Sequence, residues 1–161
     1  MSDVKSVPAR SERHPASERR VTGLALQDWY KSRGKRNFPR RSELGKRMRA
    51  QLQPHLFVLT PDENGHPYRV AAAGSELAKL CKRDPVGQVV GDTLPRFLWE
   101  RAQGLIAAAG QVKKPLADSG RFPERDGTDV VYRSVYMPLA DADGGFAGLL
   151  GAISFKRQAY A

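Results

Sequence analysis

Residues 129–139 and 146–155, near the carboxyl end of the chain, are apolar at successive positions instead of alternating ones. Val130 stands beside Val131, for example. A strand with one face in water alternates apolar and polar side chains, whereas a strand covered on both faces does not. The two runs therefore predict strands of a sheet with helices on both sides. Runs this short are also compatible with other periods.

The size and composition of the chain indicate one globular domain with a tail. It has 161 residues, of which 40% are hydrophobic and 27% are charged, close to the averages of globular proteins. Residues 1–20 contain hardly any large apolar side chain, so we expect a flexible basic tail there. Residues 21–53 are predicted to form an amphipathic and basic helical segment, and residues 54–161 the domain itself.

Two helices are predicted before the sheet begins. The first spans residues 22–33, with Thr22 as its N-cap and a stop at Gly34. Its apolar stripe is formed by Leu24, Leu26, Trp29 and Tyr30. A second, basic helix or turn follows, in which Leu44, Met48 and Leu52 recur at helical spacing.

A hairpin is the strongest local signal in the sequence. The β-prone run at residues 55–60 and its partner at residues 68–72 flank Asn64-Gly65, a dipeptide that supplies the positive φ angles of a tight turn. Gly74 then marks a turn from strand to helix, and Ser75 is the expected cap of a short helix ending near Cys81.

The remaining elements are predicted from their apolar spacing and turn residues. A longer helix runs from about residue 94 to residue 109, with a possible cap at Asp92-Thr93. Pro138 must lie at an edge, at a bulge or near a strand end, because it cannot donate to the ladder. Three strand candidates follow the helix, around residues 111–116, 129–139 and 146–155, with the last turn at residues 141–145.

These segments, taken in order, resemble a PAS domain, and in particular the short, stand-alone PAS proteins common in alphaproteobacteria. The resemblance covers roughly residues 22–156, with Ser75 at a position that usually holds Thr. It depends on residues 26–34 (LQDWYKSRG), 38–44 (FPRRSEL), 68–77 (YRVAAAGSEL), 84–87 (DPVG) and 137–139 (MPL). It implies an α+β fold with a five-stranded antiparallel sheet and short helices on its concave face. The helix of residues 22–33 would cover the other face.

The resemblance also implies a pocket between the sheet and the short helices. The candidates to line it are Phe57, Leu59, Tyr68, Leu94, Phe97, Leu98, Tyr132 and Met137, all of which would otherwise be ordinary core residues. Arg69, within an apolar strand, could pair with an anionic ligand or simply reach solvent. A small organic ligand is possible, but its identity is unknown from the sequence.

Catalytic and metal chemistry find little support in the sequence. Cys81 is expected to pack on its helix instead of acting as a nucleophile, and it lacks the Asn-Cys-Arg setting of a cysteine-linked flavin. Haem is unfavoured because the helix of residues 94–109 has no histidine. The three histidines, His14, His55 and His66, have no ligand-like spacing, so no metal site is predicted. We expect a protein without enzymatic activity. The alternative, a small-molecule enzyme, would need an acid–base pair converging on the pocket.

The positive charge is concentrated at the start of the chain. Residues 1–50 hold 14 of the 27 Lys and Arg but 5 of the 17 Asp and Glu, a net charge of +9 out of +10. The candidate basic patch comprises Arg33, Lys35, Arg36, Arg40, Arg41, Lys46, Arg47 and Arg49. It could contact phosphates, attract an acidic partner, bind nothing, or anchor through Arg40-Arg41 to carboxylates of the domain. It lacks a helix-turn-helix pattern and stacking platforms.

The sequence thus favours a regulatory or sensory module that binds a small ligand, a protein partner, or both. Homodimerisation through Leu24, Leu26, Trp29 and Tyr30 is expected. The alternative is a binder of nucleic acid or an anionic surface, in which the domain only displays the basic segment. No apolar run is long enough to cross a membrane and no secretory signal is apparent, so the sequence predicts a cytoplasmic protein.

Overall fold

The computed structural model describes residues 16–63 and 67–159, with only the backbone described for residues 16–19. The helices are α1 (Ala16–Arg33), α2 (Leu44–Arg47), α3 (Ser75–Cys81), α4 (Val90–Thr93) and α5 (Arg96–Val112), with 3-10 turns at Arg41–Glu43 and Ala50–His55. The strands are β1 (Leu56–Pro61), β2 (Tyr68–Ala73), β3 (Leu116–Pro123), β4 (Thr128–Ala140) and β5 (Phe146–Ala159).

The five strands form one antiparallel sheet in the order β2-β1-β5-β4-β3. This arrangement confirms the predicted five-stranded antiparallel sheet, including the pairing of β1 with β2. The turn proposed at Asn64-Gly65 lies outside the described residues. The last turn is confirmed: Gly144 has a φ of 89°, and the Asp141 carboxylate accepts hydrogen bonds from the amides of Asp143 and Gly145.

Both faces of the sheet are buried, as the apolar runs predicted. The inner cluster lies between the sheet and helices α3 to α5, and the outer cluster lies between the sheet and α1. Alternate residues of a strand face opposite sides. Tyr136 therefore belongs to the inner cluster, whereas Val135 and Met137 belong to the outer cluster. The apolar side chains of β4 are thus divided between the two clusters: the inner one takes Val130, Tyr132 and Tyr136, and the outer one takes Val135, Met137, Leu139 and Ala140.

Helix α1 is held to the sheet by polar contacts as well as by packing. The indole Nε1 of Trp29 donates a buried hydrogen bond of 2.8 Å to the carbonyl of Pro138. Strand β3 begins at Leu116, opposite Tyr136, so Pro138 lies beyond the paired segment and has no strand partner on that side. This agrees with its predicted place near a strand end. Buried Asp28 accepts from the Arg49 amide at 2.9 Å and forms an ion pair with its guanidinium at 3.1 Å.

Five local predictions need correction. The cap expected at Asp92-Thr93 is wrong, because both residues lie within α4 and the N-cap of α5 is Pro95. Helix α1 begins at Ala16, not at Thr22, because residues 16–20 include good helix formers. The segment predicted as the second helix contains only a single short turn of α-helix, α2, between 3-10 turns. Helix α5 continues to Val112, so β3 begins at residue 116, where the strand predicted for 111–116 ends. The N-cap of α3 is Gly74 instead of Ser75, so no side chain caps this helix.

Gly74 is required by close approach. A Cβ at this position would collide with the backbone of Gln53 and Pro54, although its φ of −77° suits any residue. The strand-to-helix junction therefore has no room for a side chain.

The far end of the sheet is joined to α3 by a partly buried ionic cluster. Arg157 contacts the Glu124 carboxylate through Nε at 2.8 Å and through Nη2 at 3.2 Å. Thr128 donates to the same carboxylate, and Lys82 lies 3.7 Å from it. The hydrogen bonds from Arg157 are the main cause that lowers the pKa of Glu124 below its ordinary value of 4.5.

We predict that Trp29→Phe lowers the free energy of unfolding by about 1–3 kcal/mol, because the buried Pro138 carbonyl loses its donor. Urea denaturation measures this change. The matched control is Tyr30→Phe at the next, half-exposed position, which should change stability by less than about 0.5 kcal/mol. Equal effects of the two substitutions would contradict the assigned hydrogen bond.

We also predict that Glu124→Gln destabilises the protein at neutral pH by about 1–3 kcal/mol. A carboxyl with a lowered pKa in the folded state stabilises above its unfolded pKa and loses that contribution as pH falls through the folded value. The difference from wild type should therefore shrink as pH falls below about 4.5. Unfolding curves across acidic pH test this.

Glu100→Gln is the control for this substitution. The Arg96–Glu100 pair is exposed, and such pairs contribute little to stability. The free energies of unfolding of wild type and Glu124→Gln are compared across acidic pH. A constant difference between them would contradict the lowered pKa of Glu124.

Candidate functional site

An apolar cleft of about 730 Å³ opens between α5, β2 and the start of β5. Its size lies within the usual range of small-molecule sites. The apolar lining residues include Val90, Trp99, Ile106 and Phe146, and the polar groups come from Tyr68, Gln103 and Gln111. Among the described residues, no Asp, Glu, Lys, Arg or His lines the cleft. The cleft therefore suits an uncharged, largely apolar molecule with one or two hydrogen-bonding groups.

The Tyr68 hydroxyl is the best-placed polar group of the cleft. It has no hydrogen-bond partner among the described residues. Tyrosine is protonated at neutral pH, and burial raises the pKa of Tyr68 further above its ordinary value of 10.0. Gly110 makes room for it, because a Cβ at this position would collide with the hydroxyl oxygen. A neutral phenol can both donate to a ligand and accept from it.

Tyr132, in contrast, has its hydroxyl committed to the protein. It donates to Asp118 Oδ2 at 3.0 Å, and Arg101 binds the same carboxylate at 3.1 and 2.7 Å. Burial is the main cause that raises the pKa of Tyr132. This network joins α5, β3 and β4 and leaves the Tyr132 hydroxyl no free role towards a ligand.

The candidate pocket residues are divided between several places. The inner cluster contains Phe57, Leu59, Tyr68, Leu94, Leu98 and Tyr132, but of the nine candidates only Tyr68 lines the cleft. Met137 lies in the outer cluster, on the opposite face of the sheet. Phe97 is 52% exposed near the start of α5. Arg69 is exposed and pairs with Asp62 at 3.3 Å.

The sequence analysis does not identify most of the residues that line the cleft, although those on α5 recur at helical spacing. Trp99, Gln103, Ile106 and Gly110 recur every three or four residues along α5, so they share one side of the helix. The other lining residues come from segments whose approach depends on the tertiary fold, among them Pro61, Pro67 and Val89. Nothing in their local sequence indicates a common cleft.

The proposed dimer residues lie partly beneath the surface. Trp29 is 1% exposed against the sheet, and Leu24 and Leu26 pack partly against the outer cluster. Tyr30 alone among the four is exposed, at 49%. Trp29 therefore cannot contribute to a surface unless α1 moves.

The basic patch is partly used within the fold. Arg36 pairs with Glu43 at 2.9 Å, and Arg49 pairs with Asp28. The Arg40 backbone joins Ala140, whose amide donates to the Pro39 carbonyl at 2.9 Å. The segment that follows α1 is thus attached to the end of β4 through its backbone.

His55 and Cys81 are the histidine and the cysteine within the described residues, and the contacts of both indicate a structural role. The Nδ1 of His55 lies 2.9 Å from the Ile153 carbonyl, and burial raises the pKa of Cys81, which disfavours its thiolate. His14 and His66 lie outside the described residues. Within residues 16–63 and 67–159, no three His, Cys, Asp or Glu side chains converge as a metal site would require.

Comparison with known proteins places the fold in a family. The family model of the PAS domain matches residues 13–154. The chain belongs to the PAS domain family. PAS domains are generally sensory modules of signalling proteins, and the match includes α1 as well as the sheet. Within the part of the chain that the structure describes, no helix has both the length and the apolar character needed to cross a bilayer.

Solved structures with a similar fold include the PAS domain of histidine kinase ThkA, at 17% identity and a TM-score of 0.47, covering 62% of this chain and 96% of that one. The light-state LOV structure of the blue-light photoreceptor Aureochrome1 has 18% identity and a TM-score of 0.48, covering 65% and 82%. A PAS domain from Colwellia psychrerythraea has 15% identity and a TM-score of 0.48, covering 65% and 91%. None of the curated proteins matches the chain.

We predict that Gly110→Ala and Gly104→Ala have different effects, although both lie on α5. Replacing glycine by alanine within a helix gains about 0.5–1 kcal/mol. Gly104 has open space around its Cβ position, so its substitution should give this gain in full. At Gly110 the added methyl displaces the Tyr68 hydroxyl, so the gain should be reduced or lost. Thermal unfolding measures both, and equal gains would contradict the described contact.

Proposed function

We propose that this PAS protein is a non-catalytic sensory module that binds a small uncharged molecule in the apolar cleft and passes the signal to a protein partner through α1. The cleft carries the proposal, because it combines an apolar lining with a Tyr68 hydroxyl that has no partner among the described residues. The described residues that line the cleft include no charged group, which argues against acid–base chemistry there.

Phe146 supplies a physical link between the cleft and the other face of the sheet. It lines the cleft and packs against both the inner and the outer cluster. Its ring meets the Phe38 ring edge to face, with centroids 6.2 Å apart. Phe38 belongs to the outer cluster together with Trp29, so a ligand that moves Phe146 would change the packing under α1.

The signal would leave the domain as a small movement of α1. A ligand shifts an equilibrium only if it binds one of two states more tightly. Here the two states would differ in the packing of Phe146 against Phe38, and a partner would recognise the surface of α1. Homodimerisation through the exposed side of α1 at Tyr30 is one form that this recognition could take.

Binding to the cleft can be tested with Nile red, an uncharged dye whose fluorescence rises in apolar surroundings. We predict saturable binding to the wild type with a stoichiometry of one. Ala107→Trp should abolish it, because Ala107 lines the cleft and the indole would fill the space. Native mass spectrometry of the purified protein would then search for a natural occupant.

The matched control is Val112→Trp, at an exposed position of the same helix that does not line the cleft. It should leave dye binding unchanged. Binding that survives Ala107→Trp, or that is lost equally in both variants, would count against the cleft as a ligand site.

A further inference from the structure

A second cavity, of about 540 Å³, lies where the end of α1 faces the connection between α5 and β3. Three cations line it, Arg33, Lys113 and Lys114, together with the aromatic rings of Trp29 and Tyr30. None of the described residues that line it is acidic. This cavity shares no lining residue with the apolar cleft, and its chemistry is the reverse: it is positively charged and suits an anion.

The charge of Arg33 is not needed to cap the helix on which it stands. Cations near a helix C-terminus often compensate its free carbonyls. In α1 the Tyr30 carbonyl accepts from the Gly34 amide at 3.3 Å, and the Ser32 carbonyl accepts from Arg36 Nη2 at 2.6 Å. The Arg33 carbonyl accepts from Arg36 at both its amide and its Nε. Arg36 therefore performs the capping.

Arg33 is instead held in a fixed position against aromatic rings. Its guanidinium carbon lies 5.6 Å from the Trp29 ring centroid and 5.1 Å from that of Tyr30. Its Nε is buried and has no hydrogen-bond acceptor among the described residues. A guanidinium fixed in this way presents a planar fork that suits a phosphate, and an anionic oxygen would satisfy the unpaired donor.

We propose that this cavity binds a small phosphate ester, with the phosphate between Arg33, Lys113 and Lys114. A phosphate monoester carries nearly two negative charges at neutral pH, which matches a site of three cations better than a single carboxylate does. The remaining volume accommodates the organic group beside Tyr30. The bound ester would tie the end of α1 to the start of β3 and so restrict the movement of that helix.

The test is calorimetric titration of the full chain with AMP, inorganic phosphate and adenosine at low ionic strength. We expect AMP and phosphate to bind with a stoichiometry of one, and adenosine to bind at least about tenfold more weakly than AMP. Arg33→Gln, and Lys113→Gln combined with Lys114→Gln, should each weaken AMP binding by about tenfold or more.

Two further variants control for folding and for general electrostatics. Arg33→Lys keeps the charge but loses the planar fork, so its affinity for AMP should lie between those of wild type and Arg33→Gln while the melting temperature is retained. Lys46→Gln combined with Lys156→Gln removes two exposed charges outside the cavity and should change AMP affinity less than about twofold.

Several results would overturn the proposal. They are the absence of saturable AMP binding, equal affinity for adenosine, and an equal loss in the control double variant. A single-stranded RNA oligonucleotide that binds more tightly than AMP, and depends on Lys46 and Lys156 as much as on Arg33, would replace it with a nucleic-acid surface. Because the two cavities share no lining residue, each of these results leaves the Nile red experiment unaffected.

Discussion

The burial of β4 and β5 on both faces is the constraint on which the other features of this protein depend. These strands supply the inner cluster with Tyr136 and Leu149 and the outer cluster with Met137 and Leu150. Without α1 the outer cluster would be exposed to water, at a cost of about 25 cal/mol for each Å² of apolar surface. Helix α1 is therefore a layer of the domain. Under the proposed function, α1 would signal by a limited displacement, because complete release would expose the outer cluster.

The same arrangement explains how two cavities of opposite character could act on one helix. The apolar cleft reaches the outer cluster through the contact between Phe146 and Phe38. The cationic cavity contacts α1 directly at Arg33, one turn after Trp29 and its hydrogen bond to Pro138. An uncharged ligand and an anion would thus bias the same element from its two sides. Each ligand would bind one packing of α1 more tightly than the other packing. Each ligand would therefore change the affinity for the second ligand by the same factor.

Much of the fold could be predicted from the sequence, because apolar parity and turn residues are local signals. The site could not be predicted to the same degree. Side chains of a strand alternate between its two faces, so residues separated by an odd number of positions lie on opposite faces. Tyr132 and Met137 are five positions apart, and this alone predicts that they do not share a pocket. The cleft itself depends on the approach of β2 and α5, which no local pattern encodes. Glycine is common at a helix end, so the sequence predicts that the helix stops at Gly110. Helix α5 continues to Val112, because Gly110 makes room for the Tyr68 hydroxyl instead of ending the helix.

Hydrogen–deuterium exchange of the α1 amides with and without bound Nile red would show whether the apolar cleft is coupled to α1. Exchange reports local opening, so it measures how firmly this helix is held to the sheet. We expect that filling the cleft changes exchange within residues 21–33 of the wild type. Phe146→Ala, measured at dye concentrations that saturate this variant, should remove the response. Unchanged exchange in α1 of the wild type at saturating dye would contradict this coupling.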